Sequence, residues 1–133
     1  MPYVFDFDWK HRILRIRFLG LFTDEQLRSY LRAAFKVNFH TQPAAAMVDM
    51  SEITTVKVTR ATVTEIAGEA PTIAKQSVPR VIIAPTRKLF ELARLFQERG
   101  KSTRPSLHIV HTENEALDII GVPNPVFEPL EWV

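Results

Sequence analysis

The chain contains no cysteine, which excludes both a disulfide framework and a thiolate-bound metal. It fits a reducing compartment. Its four glycines stand apart at positions 20, 68, 100 and 121, so no glycine-rich phosphate loop and no G-x-S-x-G nucleophile turn can be drawn. No apolar run approaches the roughly 20 residues that span a bilayer. The opening Met1-Pro2-Tyr3-Val4-Phe5-Asp6 lacks the charged start and apolar stretch of a signal peptide. A cytoplasmic protein without stable membrane insertion is therefore expected. A surplus of one charge is missing too: 17 basic side chains face 15 acidic ones, for a net +2. Despite a pI near 9.2, this lacks the concentrated basic face of a nucleic-acid binder, and no nucleic-acid partner is expected.

What remains is ordinary globular composition, with 46% apolar and 24% charged residues in 133 positions. That length suits one domain large enough to bury a core without staples. Residues 3–9 alternate, with Tyr3, Phe5, Phe7 and Trp9 on one side, and residues 12–19 alternate with Leu14, Ile16 and Phe18. The two runs predict a hairpin turning near Lys10-His11, in a register that sets Asp6 opposite Arg15, Phe5 opposite Ile16 and Phe7 opposite Leu14. Gly20 is expected to end it. Thr23-Asp24-Glu25-Gln26 is a capping box, and Leu27, Tyr30, Leu31, Ala34 and Phe35 follow at helical spacing, the helix ending before the 38–43 segment.

Three short apolar runs, 44–48, 81–84 and 107–110, each precede a helical pattern. Strands apolar on both faces that alternate with helices indicate a largely parallel sheet. The helices fall at about 60–70, from Thr86 to Gly100, and from the Thr112-Glu113-Asn114-Glu115 capping box to Gly121. The fold class is thus α/β, a mixed sheet of about five strands with about four helices in the order β-β-α-β-α-β-α-β-α. Residues 1–121 form a single domain, and 122–133, with three prolines, read as a Pro-rich extended tail that either packs back on the domain or offers an apolar patch to a second copy or another protein.

Few constellations suggest chemistry. Asp6 and Asp8 share one side of a strand, as paired catalytic carboxylates do, but cross-strand Arg15 and Arg17 supply partners for them. His108 and His111 point to opposite faces, and His11 and His40 lie apart from them, so no metal site is expected. In the third helix Arg87 with Glu91, and Arg94 with Glu98, cancel as i,i+4 pairs. That leaves Lys101 and Arg104 in the exit loop as candidates to contact an anion or an acidic partner. The segment from Asp49 to Arg60 runs from a buried strand to a helix N-terminus, where unpaired amides favour phosphate or carboxylate. Asp49, Ser51, Lys57, Val58, Thr59 and Arg60 are the candidate surface there, with Thr59 placed to cap the helix.

The pattern of Ile13-Leu14-Arg15-Ile16-Arg17 leading to Gly20 and Phe22-Thr23, then Val48-Asp49-Met50-Ser51 with Ile53, then Pro79 to Ile83, then Leu89-Phe90 through Ala93 to Phe96-Gln97, resembles the STAS superfamily, in particular its SpoIIAA-like proteins. The resemblance spans about residues 3–121. It implies a bacterial, non-catalytic regulatory module that works by protein–protein contact, with an anti-sigma factor or a sensory protein as partner and no cofactor. In classical antagonists an Asp-Ser-Ser-Gly at a helix start holds the phosphorylated serine. The corresponding Lys57-Val58-Thr59-Arg60 keeps only the hydroxyl of Thr59, which the resemblance implies as the phosphoacceptor. SpoIIAA-like folds are also similar to Sec14-type lipid-binding domains, which implies an alternative: a lipid or other small apolar ligand in a pocket between helices and sheet, lined by Phe35, Ile66, Leu92 and Phe96. The protein-contact reading expects a solid core and an exposed apolar surface near Val58. A homodimer is compatible with either reading.

Overall fold

The computed structural model describes residues 2–132. Strand β1 (Tyr3–Asp8) and strand β2 (Ile13–Thr23) form the antiparallel hairpin in the expected register, with Asp6 opposite Arg15 and Phe7 opposite Leu14. Helix α1 (Asp24–Thr41), β3 (Ala45–Lys57), α2 (Arg60–Ala67), β4 (Arg80–Ile83), α3 (Arg87–Arg99), β5 (Leu107–Val110), α4 (Glu113–Ile120) and the two-residue β6 (Glu128–Pro129) follow. One six-stranded sheet runs β5-β4-β3-β2-β1-β6. Strands β2 to β5 are parallel, and β1 is antiparallel to both its neighbours. The three apolar runs expected to be buried strands lie side by side as β3, β4 and β5.

Alternation along the central strands divides the core into two layers. Leu14, Ile16, Phe18, Ala46 and Ile82 face α1, α2 and α3, while Ile13, Ala45, Met47, Val81, Ile83 and Val110 face α4. Tyr3, Phe5, Phe18 and Tyr30 form an aromatic knot that seats α1 on the hairpin, with ring centroids 5.1 to 6.1 Å apart. Edge and stacked pairs of this kind add about 0.5–1.5 kcal/mol each beyond the area they bury.

Four expectations are corrected. Gly20 does not end the hairpin: at φ +70 it sits among register shifts in the β2–β3 ladder, so it bends β2 and the strand continues to Thr23. Strand β3 likewise runs on to Lys57, because Glu52 to Lys57 find partners on the extended β2. Helix α1 continues past Asn38 to Thr41, where the Asn38 side-chain nitrogen donates to the Thr72 carbonyl at 2.9 Å and the Thr41 hydroxyl to the Val37 carbonyl at 2.7 Å, while Asn38 Oδ1 is buried with no partner among the described residues. Helix α2 stops at Ala67, short of position 70, with Gly68 as its C-cap. The sixth strand comes from the tail. Leu130 is buried, its amide donates to the Phe5 carbonyl at 2.8 Å, and the Val126 amide donates to the Asp8 carboxylate at 2.8 Å.

Candidate functional site

The end of the β2–β3 ladder brings helix N-termini together. Thr59 caps α2, its hydroxyl accepting from the Thr62 amide at 3.2 Å. Its own amide and hydroxyl both donate to the Asp24 carboxylate in the first turn of α1, at 2.8 and 2.9 Å. Burial works against the charge on Asp24, but the hydrogen bonds from Thr59 and Thr62 and the nearby Arg28 outweigh it and hold its carboxyl below the ordinary range. The positive end of α2 thus already faces a carboxylate of the chain itself. One turn further on, Arg28 donates to Glu65 at 2.9 Å, a second polar bridge between α1 and α2.

The other candidate surface residues do not converge on this point. Asp49 and Ser51 sit within β3, where the Asp49 carboxylate accepts from the Ser51 amide at 2.9 Å, while Lys57 and Arg60 are exposed. Val58 is only 6% exposed and belongs to the core, which corrects its place on an exposed surface. The alternation of β3 carries Val56 and Val58 toward the helices, while Lys57 between them faces out. Lys101 is exposed, but Arg104 turns inward and is 6% exposed, so these two do not form a surface cation pair.

Between the inward face of the sheet and the three helices lies a partly open cavity of about 150 Å³. Its floor is Leu14, Ile16, Ala46 and Ile82, and its walls include Val63 and Ile66 of α2 and Leu92 and Phe96 of α3. Three of the four residues expected to line such a pocket do so. Phe35 is the correction: it is 49% exposed, because the inward stripe of α1 runs through Tyr30, Ala34, Val37 and Asn38, and Phe35 falls beside it. The less buried lining residues are chiefly Leu27 and Leu31 of α1 and Pro71 to Ile73 of the α2–β4 loop.

Three polar side chains stand out at this cavity, and sequence reasoning singled out only Arg104. Arg80, 9% exposed, donates through Nη2 to the Ile73 and Lys75 carbonyls at 2.6 and 2.7 Å. Arg104 donates to the Ala67 and Glu69 carbonyls at 2.9 and 3.1 Å and lies over the Phe96 ring, 4.8 Å from its centroid. With Asn38 on Thr72, these residues pin the α2–β4 loop across one end of the cavity. Burial pulls both guanidinium pKa values below the ordinary range. The charge of Arg104 adds to this for Arg80, while Tyr30 and Glu69 oppose it for Arg104. Tyr30, buried in the wall, is pushed up to about 12 by burial, with Arg104 acting the other way, and stays a neutral phenol. The signal for Arg80 was an arginine opening a strand otherwise apolar on both faces. The signal for Asn38 was a helical stripe that continued further than the pattern was followed.

The residues weighed for catalysis go elsewhere. Asp6 pairs with both Arg15 and Arg17, at 3.0 and 2.8 Å. Asp8 departs from the expected arginine pairing: it accepts from the His11 and Val126 amides, both at 2.8 Å, and so ties the hairpin turn to the tail. His111 stacks on Phe90 with ring centroids 4.4 Å apart. Among the described residues no group of three or more histidine, aspartate or glutamate side chains is placed to hold a metal ion. Of the two i,i+4 pairs expected in α3, Arg87 and Glu91 pair at 3.2 Å, while Arg94 and Glu98 form no ion pair among the described residues. Compared with known proteins, the chain matches no family model, no curated relative and no solved structure.

Proposed function

We propose that this chain is a non-catalytic binding module that takes a small apolar molecule into the cavity between its sheet and helices α1 to α3. The observation that carries the reading is the cavity itself: about 150 Å³ bounded almost wholly by apolar side chains. Protein interiors are normally packed as tightly as organic crystals. A space of similar size in an engineered apolar core, about 150 Å³, takes up benzene. The polar groups lining the cavity are two guanidiniums, an amide, a threonine hydroxyl and a phenol, with no carboxylate or imidazole to act as a general base. That supports binding over catalysis.

A second reading, a regulator acting through protein contact as the SpoIIAA-like resemblance implies, draws support from Phe35 and Phe39. They lie one turn apart on the outer side of α1 and are 49% and 75% exposed. Native mass spectrometry of the freshly purified chain separates the two. The cavity reading predicts a non-covalent adduct of small mass that disappears under denaturing conditions. A bare monomer, or a dimer without adduct, favours the contact reading.

A further inference from the structure

The apolar walls say nothing about the rest of the ligand, but the arginines at the cavity do. A guanidinium carries five N–H donors. Arg80 places both hydrogens of Nη2 on the Ile73 and Lys75 carbonyls. Its Nε and Nη1 are buried and meet no acceptor among the described residues. Holding the loop therefore accounts for two of its donors and leaves three unclaimed. Arg104, also lining the cavity, binds only neutral oxygens: the Ala67 and Glu69 carbonyls and the Thr103 hydroxyl. Neither guanidinium forms an ion pair with a carboxylate among the described residues, whereas Arg15, Arg17, Arg28 and Arg87 each do. A buried guanidinium such as that of Arg80, with donors left over and no carboxylate paired to it, is costly in an apolar interior. It becomes favourable when an anion joins it, since charge-assisted hydrogen bonds in a dry site are among the strongest a protein makes.

We propose that the cavity takes an amphipathic anion, a small apolar body seated against Ile16, Val63 and Leu92 with carboxylate or phosphate oxygens accepting from Nε and Nη1 of Arg80. The inference rests on the cavity being a ligand site, and the test separates the two ideas. Octanoate, octyl phosphate, 1-octanol and octylamine are each titrated calorimetrically into the full chain, and the arginine Nε–H resonances are followed by NMR. The expected result is that the anions bind about tenfold or more tighter than the alcohol, that the amine binds weakest, and that an anion moves the Arg80 Nε signal. The tighter of the two anions identifies the head group. Equal affinity of alcohol and anions overturns the head-group inference and leaves the apolar site standing. Binding by none of the four overturns both. Anion binding that leaves the Arg80 Nε signal unmoved assigns the charge preference to the surface and overturns the inference. Arg80→Gln, where it folds, should lose the preference for anions while keeping 1-octanol. Where it does not fold, the ligand series on the unaltered chain decides.

Discussion

Replacing Ala46 by isoleucine tests the space between sheet and helices from the inside. Ala46 lies on the central strand β3, between Leu14 of β2 and Arg80 of β4 in register, and lines the cavity floor with only 7% of its surface exposed. Isoleucine suits a strand and extends the side chain by three carbons into the cavity. At about 0.8 kcal/mol per buried methylene, full accommodation would add roughly 2 kcal/mol to the ligand-free protein. For a domain of this length that corresponds to a melting point raised by about 5–10 °C. In a core without spare room the same change overpacks and costs about 1–3 kcal/mol instead. Urea denaturation followed by circular dichroism, on ligand-free samples of both proteins, measures the difference. The reasoning requires two effects together, a stability gain and weaker uptake of any apolar ligand. A loss of 1 kcal/mol or more would refute it, because the cavity would then have no room for a side chain, still less for a ligand.

Three further outcomes follow from particular contacts. Thr59→Ala removes both the α2 cap and a donor to Asp24, and should cost about 1–2 kcal/mol in chemical denaturation while leaving ligand uptake by the cavity intact. Gly100→Ala should destabilise by about 1–3 kcal/mol, although alanine is the better helix former, because its methyl would stand 2.9 Å from Arg104 Nη1 and 3.2 Å from the Ala67 and Phe96 carbonyl oxygens. A melting point equal to the parent's would contradict this. Asp24 has a folded pKa held below its unfolded value, so its contribution is present above the unfolded pKa and fades as pH falls through the folded one. Asp24→Asn should therefore lower stability at neutral pH and flatten its decline between about pH 5 and the acid limit, as seen in acid-denaturation curves of the two proteins.

The fold was legible where periodicity and caps agree. The hairpin register followed from matching Asp6 with Arg15 and Phe5 with Ile16, since any slip by one residue would have turned every aromatic outward. Both capping boxes, at Thr23 and Thr112, form as their spacing implied. What escaped was decided by tertiary partners. The Ser51 to Lys57 stretch, rich in hydroxyls and poor in alternation, became strand only because β2 continues past Gly20 to pair with it. The candidate site was half visible. Ile66, Leu92 and Phe96 were expected at a pocket only through the resemblance to lipid-binding folds, and Thr59 looked like an open anion site because Asp24, 35 residues away, carries no local mark of reaching it. Arg104 looked like a surface charge for a related reason. A basic residue in a polar loop reads as solvated, and only Gly100, whose missing side chain leaves room for the guanidinium, hints that it turns inward.

The most direct measurement is a methyl-resolved NMR titration of the chain with indole, a small neutral aromatic. The account predicts saturable shifts concentrated on the methyls of Ile16, Val63 and Leu92, which line the cavity from sheet, α2 and α3, with Val126 at the exposed tail unmoved. Shifts confined to exposed positions such as Val126 and Ile119, with the three interior methyls silent up to the solubility limit, would contradict it.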